Sequence, residues 1–298
     1  MNQEQYAPPE SETGFRRKGM AASSQQLQEL HHHILHLIAT APARYAAVLW
    51  PLEAPEPWLC LNDDIAFYAA SLVKIPIMAV AFELHARGQL SLEERLTVKQ
   101  SDIVSGSGVL KLLQPDISLP LWDLLRLMIC VSDNTATNIL IQHLQDSTIN
   151  EILEEWNFGV IRVHHLLQIG RVDSTQRNLV TAGEISKLLV HIAKGTIVSR
   201  WACEQMLVIL KQQQYNDEIP ALLPTSSPDI IGAIPPVVIA HKTGWIPGTR
   251  HDAAIIYTPT MAYVLCLSAD HIENEAATRS AMQHISRAVY DALIGARQ

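Results

Sequence analysis

Three short groups of residues in this chain could do chemistry together. Ser71 and Lys74 stand three apart in Ser71-Leu72-Val73-Lys74, a spacing that on a helix puts both side chains on one face and within reach of each other. The pair offers a hydroxyl nucleophile beside an amine. That amine can act as a base only where burial, or a neighbouring cation such as Lys242, leaves part of it neutral near pH 7. In a first helical turn Ser71 would also lie among unpaired backbone N–H groups, which favour a developing anion. Ser132-Asp133-Asn134 falls between two apolar runs and has two readings. One is a helix N-cap, since all three residue types cap well. The other is a proton relay from Ser132 to a departing nitrogen, with Asn134 on a substrate amide. Both hold together if one of the three caps and the others face a cleft. Lys242-Thr243-Gly244 closes an apolar, β-prone run. A cation, a hydroxyl and a glycine at a strand edge suit a carboxylate-bearing ligand laid alongside as an extra strand, with Gly244 allowing close backbone approach.

The elements that must position these groups follow from periodicity. Gln26 to Ile38 carries apolar residues at helical spacing, together with His31-His32-His33; three consecutive histidines point in three directions on a helix and read as a solvated face rather than a metal site. Tyr45 to Trp50 and Pro57 to Leu61 read as a hairpin. From about Ala69 to Gln214 the chain turns helical, with an amphipathic helix expected over Ser71 to Arg87 and further helices over Leu119 to Val131 and Asn134 to Leu144. Another is expected over Thr181 to Ala193, opening with Thr181-Ala182-Gly183-Glu184, a capping-box pattern. Strands are expected again over Val237 to His241, with Lys242-Thr243-Gly244 at their end, over Asp252 to Thr258 and over Ala262 to Ser268, and then a helix from about Glu273 to Ile294. The expected organisation is a polar leader over 1–23 and an α/β domain built from 24–68 and 215–298. An all-α domain over 69–214 is inserted into it, with the active site between the two.

Composition narrows the partners. A chain of 298 residues that is 48% hydrophobic and 17% charged can bury a large core. A formal charge of −8 without a long Lys/Arg cluster argues against a nucleic-acid or anionic-membrane surface and for a small-molecule or peptide partner. Arg16-Arg17-Lys18 is followed by Ala21-Ala22-Ser23-Ser24-Gln25-Gln26 rather than by a long apolar segment, so neither a signal peptide nor a membrane span is read. The expectation is cytoplasmic, or periplasmic or secreted if a leader has been removed. Cys60, Cys130, Cys203 and Cys266 are widely spaced, which suits reduced, packed thiols rather than a zinc site or a disulfide framework. No metal or cofactor is implied, and the oligomeric state is left open.

Ser-Asp-Asn or Lys-Thr-Gly alone arises by chance at on the order of one position in several thousand. With Ser-x-x-Lys ahead of both, and in this order, the set resembles that of the penicillin-recognising serine hydrolases, specifically their class A β-lactamase-like branch. The resemblance spans roughly Gln26 to the end and includes the run Ser132-Asp133-Asn134-Thr135-Ala136-Thr137-Asn138 and Arg250 on the strand after Lys-Thr-Gly. It implies an α+β fold, an all-α domain packed on an α/β sandwich whose antiparallel sheet is flanked by the terminal helices. It implies that Ser71 forms an acyl-enzyme, Lys74 activates it and Ser132 protonates the leaving nitrogen. By the same resemblance, backbone N–H groups of Ser71 and Trp245 form the oxyanion hole, Lys242, Thr243 and Arg250 hold the substrate carboxylate, and Asn134 holds its amide side chain.

One departure bears on turnover. Class A enzymes deacylate with a loop glutamate whose place, counted from Ser-Asp-Asn, falls here on Gln168, and no Glu lies between Trp156 and Leu179. A glutamine orients water but does not accept its proton; His165 and Asp173 are the nearby groups able to stand in. The expected activity is a β-lactamase-type serine hydrolase acting on a β-lactam or related amide or ester, with slow deacylation. The alternatives are a peptidase or esterase of the same fold, and a non-turnover protein that stays acylated and serves as a sensor.

Overall fold

The computed structural model describes residues 15–16, 24–167, 177–224 and 236–295. In chain order its elements are β1 (Phe15–Arg16), α1 (Ser24–Ala39), β2 (Arg44–Pro51), β3 (Leu59–Leu61), β4 (Phe67–Tyr68), α2 (Lys74–Ala86), β5 (Arg95–Val98), β6 (Ile117–Pro120), α3 (Leu121–Cys130), α4 (Asn134–Leu144) and α5 (Asp146–Glu155). There follow β7 (Leu179–Val180), α6 (Ala182–Lys194), α7 (Arg200–Leu210), β8 (Val238–Ile246), β9 (Thr249–Tyr257), β10 (Ala262–Asp270) and α8 (Glu275–Ile294). Strands from both ends of the chain form one antiparallel sheet in the order β1-β3-β2-β10-β9-β8, which leaves β8 at an edge.

The long strands are apolar at consecutive rather than alternate positions because both faces of the sheet are covered. Ala47, Leu49, Ala254, Ile256, Leu265 and Leu267 share one core with Leu30 and Ile34 of α1 and Met282, Ile285 and Val289 of α8. Their intervening neighbours Ala46, Val48, Ala253, Ile255, Val264 and Cys266 share the other core with the helices of the middle of the chain. This is the expected α+β arrangement, a sheet flanked by the terminal helices with helices packed against its other face. Among the described residues no helix is long and apolar enough to cross a membrane.

Several local expectations are corrected. The helix after Ser71 is not amphipathic: from Lys74 to Phe82 every residue is buried, because α2 runs through the middle of the helical layer against α3, α4, α5 and α7. Ser71 precedes that helix in a short 3₁₀ turn over Ala70–Val73. Leu119 and Pro120 belong to β6, paired with β5, so α3 starts two residues later than expected, at Leu121. Helices α5 and α7 were not foreseen. Lys242-Thr243-Gly244 lies inside a strand rather than at its end, since β8 continues to Ile246, where it pairs with Thr249 across the turn to β9. Thr181 does cap α6, accepting the Glu184 N–H at 3.0 Å, but the Glu184 carboxylate closes no capping box with it. It binds instead the N–H groups of Gly159, Val160 and Ile161.

Candidate active site

Three elements converge on one hydroxyl. Lys74, in the first turn of α2, is fully buried and donates to the Ser132 carbonyl at 2.7 Å, the Ser132 Oγ at 3.0 Å and the Asn134 Oδ1 at 3.0 Å. Lys242, fully buried in β8, donates to the same Ser132 Oγ at 3.1 Å and to the Thr243 carbonyl at 2.7 Å. The Ser132 hydroxyl in turn meets Ser71 Oγ at 3.0 Å. The structure thus brings Ser71, Lys74, Ser132, Asn134 and Lys242 together, with Ser132 bridging Ser71 to both amines.

The two amines are unusual lysines. Burial, and then the charge on Lys242, hold the Lys74 ammonium well below the usual lysine range, with Asp133 pulling the other way. Burial brings Lys242 down to about 7 against the opposing pull of Asp252, Cys130 and Glu218. An ammonium removed from water loses solvation that three hydrogen bonds restore only in part, so its neutral form gains population.

Backbone geometry supports the arrangement. Ala70 and Ser132 both have positive φ, 43° and 53°, a left-handed conformation that costs a non-glycine residue on the order of 1–3 kcal/mol. At Ser132 it is held by Asp133, which is the N-cap: its carboxylate accepts the Ala136 N–H at 2.9 Å and, from the segment before α3, the N–H groups of Val109 at 2.6 Å and Leu110 at 2.8 Å. That contact needs Gly108, since a Cβ there would lie 2.3 Å from Asp133 Cγ. The cap reading of Ser-Asp-Asn holds at Asp133, which caps α4, while Ser132 and Asn134 face the lysines.

At Gly244 the edge strand presses against the nucleophile's turn: a Cβ would stand 3.2 Å from the Ser71 nitrogen, 3.3 Å from the Leu72 nitrogen and 3.3 Å from His251 Cδ2. His251, cross-strand from Gly244, is fully buried and pushed down to about 4 by that burial, so its ring is neutral. Its Nε2–H donates to the Tyr68 carbonyl at 2.9 Å, and the ring packs edge-on against Phe67 at 5.9 Å.

The remaining expected residues are placed as follows. Thr243 is 8% exposed. Trp245, one residue beyond Gly244, is 57% exposed. Arg250 is 3% exposed, with its guanidinium on the carboxylates of Glu218 and Glu275. Gln168 and Asp173 lie outside the described residues. His165 precedes them: its Nδ1–H donates to the Leu166 carbonyl at 2.5 Å and its backbone N–H to Asn178 Oδ1 at 3.2 Å.

Two buried asparagines fix this approach to the loop, and reading the sequence as motifs missed what both do. Asn138 grips the backbone of Leu167 from both sides, at 2.7 Å to its N–H and 2.9 Å to its carbonyl. Asn178 Oδ1 accepts the His164 N–H at 2.7 Å, its Nδ2 donates to the His165 carbonyl at 3.1 Å, and its own carbonyl accepts the Ala69 N–H at 2.8 Å. The available signal was Asn138 itself, one helical turn beyond Asn134 among apolar residues; nothing local marks Asn178 or His251.

Comparison with known proteins follows the same lines. A family model described as the beta-lactamase enzyme family matches residues 28–293. A curated beta-lactamase of Bacteroides uniformis is 22% identical, over 91% of this chain and 93% of that protein. Among solved structures, a beta-lactamase from Sphaerobacter thermophilus superposes with a TM-score of 0.80 at 26% identity, covering 89% of this chain and 97% of that one. A mutant of PBP-A, solved as an acyl-enzyme complex with penicillin G, superposes with a TM-score of 0.77 at 27% identity, covering 90% and 97%.

Proposed function

Because the chain belongs to the beta-lactamase enzyme family, we propose that it is a serine hydrolase whose Ser71 attacks a β-lactam or a related small amide or ester. The observation that carries this reading is the hydrogen-bonded line from Lys74 through Ser132 to Ser71. In acylation Ser71 Oγ attacks the carbonyl carbon; its proton passes to Ser132 Oγ as the proton of Ser132 passes to neutral Lys74. The carbonyl oxygen, now an anion, faces the backbone N–H groups of Ser71 and Trp245. On collapse the carbon–nitrogen bond breaks, Lys74 returns its proton through Ser132 to the leaving nitrogen, and an acyl-Ser71 ester remains. Lys242 and Thr243 face the leaving-group side, and Asn134 the amide of the acyl side chain. The PBP-A mutant's acyl-enzyme with penicillin G supports acylation by a β-lactam.

Deacylation is the slow half. Water must lose a proton as it attacks, and the loop that should supply the base contains no glutamate. Intact-protein mass spectrometry after mixing with a penicillin tests the whole reading. The wild-type protein should gain one penicilloyl mass that forms faster than it is lost, and Ser71→Ala should gain none. Undiminished labelling of Ser71→Ala would remove Ser71 from the role of nucleophile.

A further inference from the structure

Beyond Lys242-Thr243-Gly244 the edge of the sheet is aromatic, and its cation is already bound. Thr243 and Trp245 alternate onto one face of β8, cross-strand from Asp252 and Arg250 of β9. Arg250 presents no bare charge to the cleft. One arm of its guanidinium is hydrogen-bonded to Glu218 and the other lies 3.1 Å from Glu275 Oε2, and the Glu275 carboxylate also accepts the Gly248 N–H at 2.9 Å. Over this cluster lies the Trp245 ring, with the guanidinium carbon 5.9 Å from its centroid and its Nε1 at 3.4 Å from Glu275 Oε2.

An indole that is 57% exposed and yet held by its polar edge offers a flat apolar surface that needs little ordering when a ligand arrives. It also lies close to Ser71, since a Cβ on the preceding residue, Gly244, would stand 3.2 Å from the Ser71 backbone nitrogen.

We propose that Trp245 determines specificity, so that the site favours acyl donors whose group lying against the β8 edge is a flat, uncharged ring over donors that carry a carboxylate there. This deepens, and rests on, the reading of Ser71 as the acylated nucleophile. Arg250 then acts through Trp245, holding the indole in place rather than meeting a substrate anion.

The test compares acylation rates, read by mass spectrometry so that slow deacylation does not intrude. Three esters share one acylamino-acetyl group and differ in the leaving alcohol: phenol, phenol carrying a meta-carboxylate, and methanol. The phenyl ester is expected to acylate wild-type Ser71 faster than its carboxylated partner. In Trp245→Ala the ratio of phenyl to methyl ester rates should fall about tenfold, the worth of one aromatic stacking contact, while Trp245→Phe keeps most of it. Acylation equally fast or faster with the carboxylated ester, or a phenyl-to-methyl ratio unmoved in Trp245→Ala, overturns the proposal. Should Trp245→Ala not fold, the wild-type comparison of the two aryl esters decides alone. If none of the three esters acylates Ser71, the nucleophile reading falls and this proposal falls with it.

Discussion

Substituting Gly244 by alanine tests the closest contact in the site. The new methyl would stand 3.2 Å from the Ser71 nitrogen and 3.3 Å from both the Leu72 nitrogen and His251 Cδ2, tighter by a few tenths of an ångström than an ordinary carbon contact. None of the three neighbours is the free end of a flexible chain. The two nitrogens belong to the 3₁₀ turn of the nucleophile, and the imidazole is pinned between the Tyr68 carbonyl and Phe67. The methyl therefore acts as a wedge between β8 and the turn. Overpacking of this kind costs about 1–3 kcal/mol of stability. Its effect on acylation would come through the Ser71 N–H, the proposed oxyanion donor. Loss of such a donor costs about 10²–10³ in rate, and a 1 Å misplacement about 10². A shift of a few tenths of an ångström should then lower acylation about tenfold, in the rate constant rather than in apparent binding. Stopped-flow acylation with a chromogenic cephalosporin, alongside a thermal melt, measures both. A Gly244→Ala protein that acylates within about twofold of wild type at unchanged stability would refute the reasoning that this approach positions the oxyanion donor.

Two further perturbations read the electrostatics and the loop. In the proposed mechanism acylation needs neutral Lys74, so its rate should rise with pH along a limb well below the usual lysine range; since Lys242 is one cause of that lowering, Lys242→Gln should move the limb to higher pH whatever it does to the plateau. A limb that stays put or moves down would show that Lys74 is not the titrating base. Asn178→Ala should leave the His164 and His165 N–H groups without their acceptor, costing about 1–3 kcal/mol in all at about 0.5–1.5 kcal/mol per hydrogen bond and speeding amide exchange at these two residues first; unaltered exchange there would mean the clamp is not what holds the segment.

How far the sequence could be read depended on whether a feature is written locally. Helix α4 could be placed because Asn134 to Leu144 has both periodicity and a capping triplet, and α8 because a long periodic run follows Asn274, whose side chain accepts the N–H groups of Ala276 and Ala277. The end of β8 was misjudged because Lys242-Thr243-Gly244 reads as polar punctuation. Only the pairing with β9 shows that the strand runs on past it. The all-round burial of α2 was missed for a related reason, since the partners that let Lys74 be buried, Ser132 and Asn134, come to it from another part of the chain. Arg250 is the sharpest case. The resemblance implies that it holds a substrate carboxylate, and its carboxylate partners within the chain, Glu218 and Glu275, come from 32 and 25 residues away on opposite sides in sequence.

The proposed asymmetry between the two half-reactions would have a structural cause as well as a chemical one. The groups assigned to proton transfer in acylation, and the segment beside Ser71, are held by the core. Lys74 and Lys242 are fully buried, Ser132 is 4% exposed, and Leu72 and Val73, which follow Ser71, are buried completely. The positive φ angles at Ala70 and Ser132 are strained conformations that survive only where the surroundings over-determine them. Here those surroundings are the pressing of β8 at Gly244 on one side and the three N–H groups gathered by Asp133 on the other. The loop expected to serve deacylation is tied down differently. As far as Leu167 it hangs on the side-chain amides of Asn138 and Asn178, both gripping backbone, which fix the path of the chain and supply no base. A site rigid for forming the ester and without a glutamate in the loop for breaking it should accumulate acyl-Ser71, and placing a glutamate at Gln168 is the change that would shorten the lifetime of that adduct.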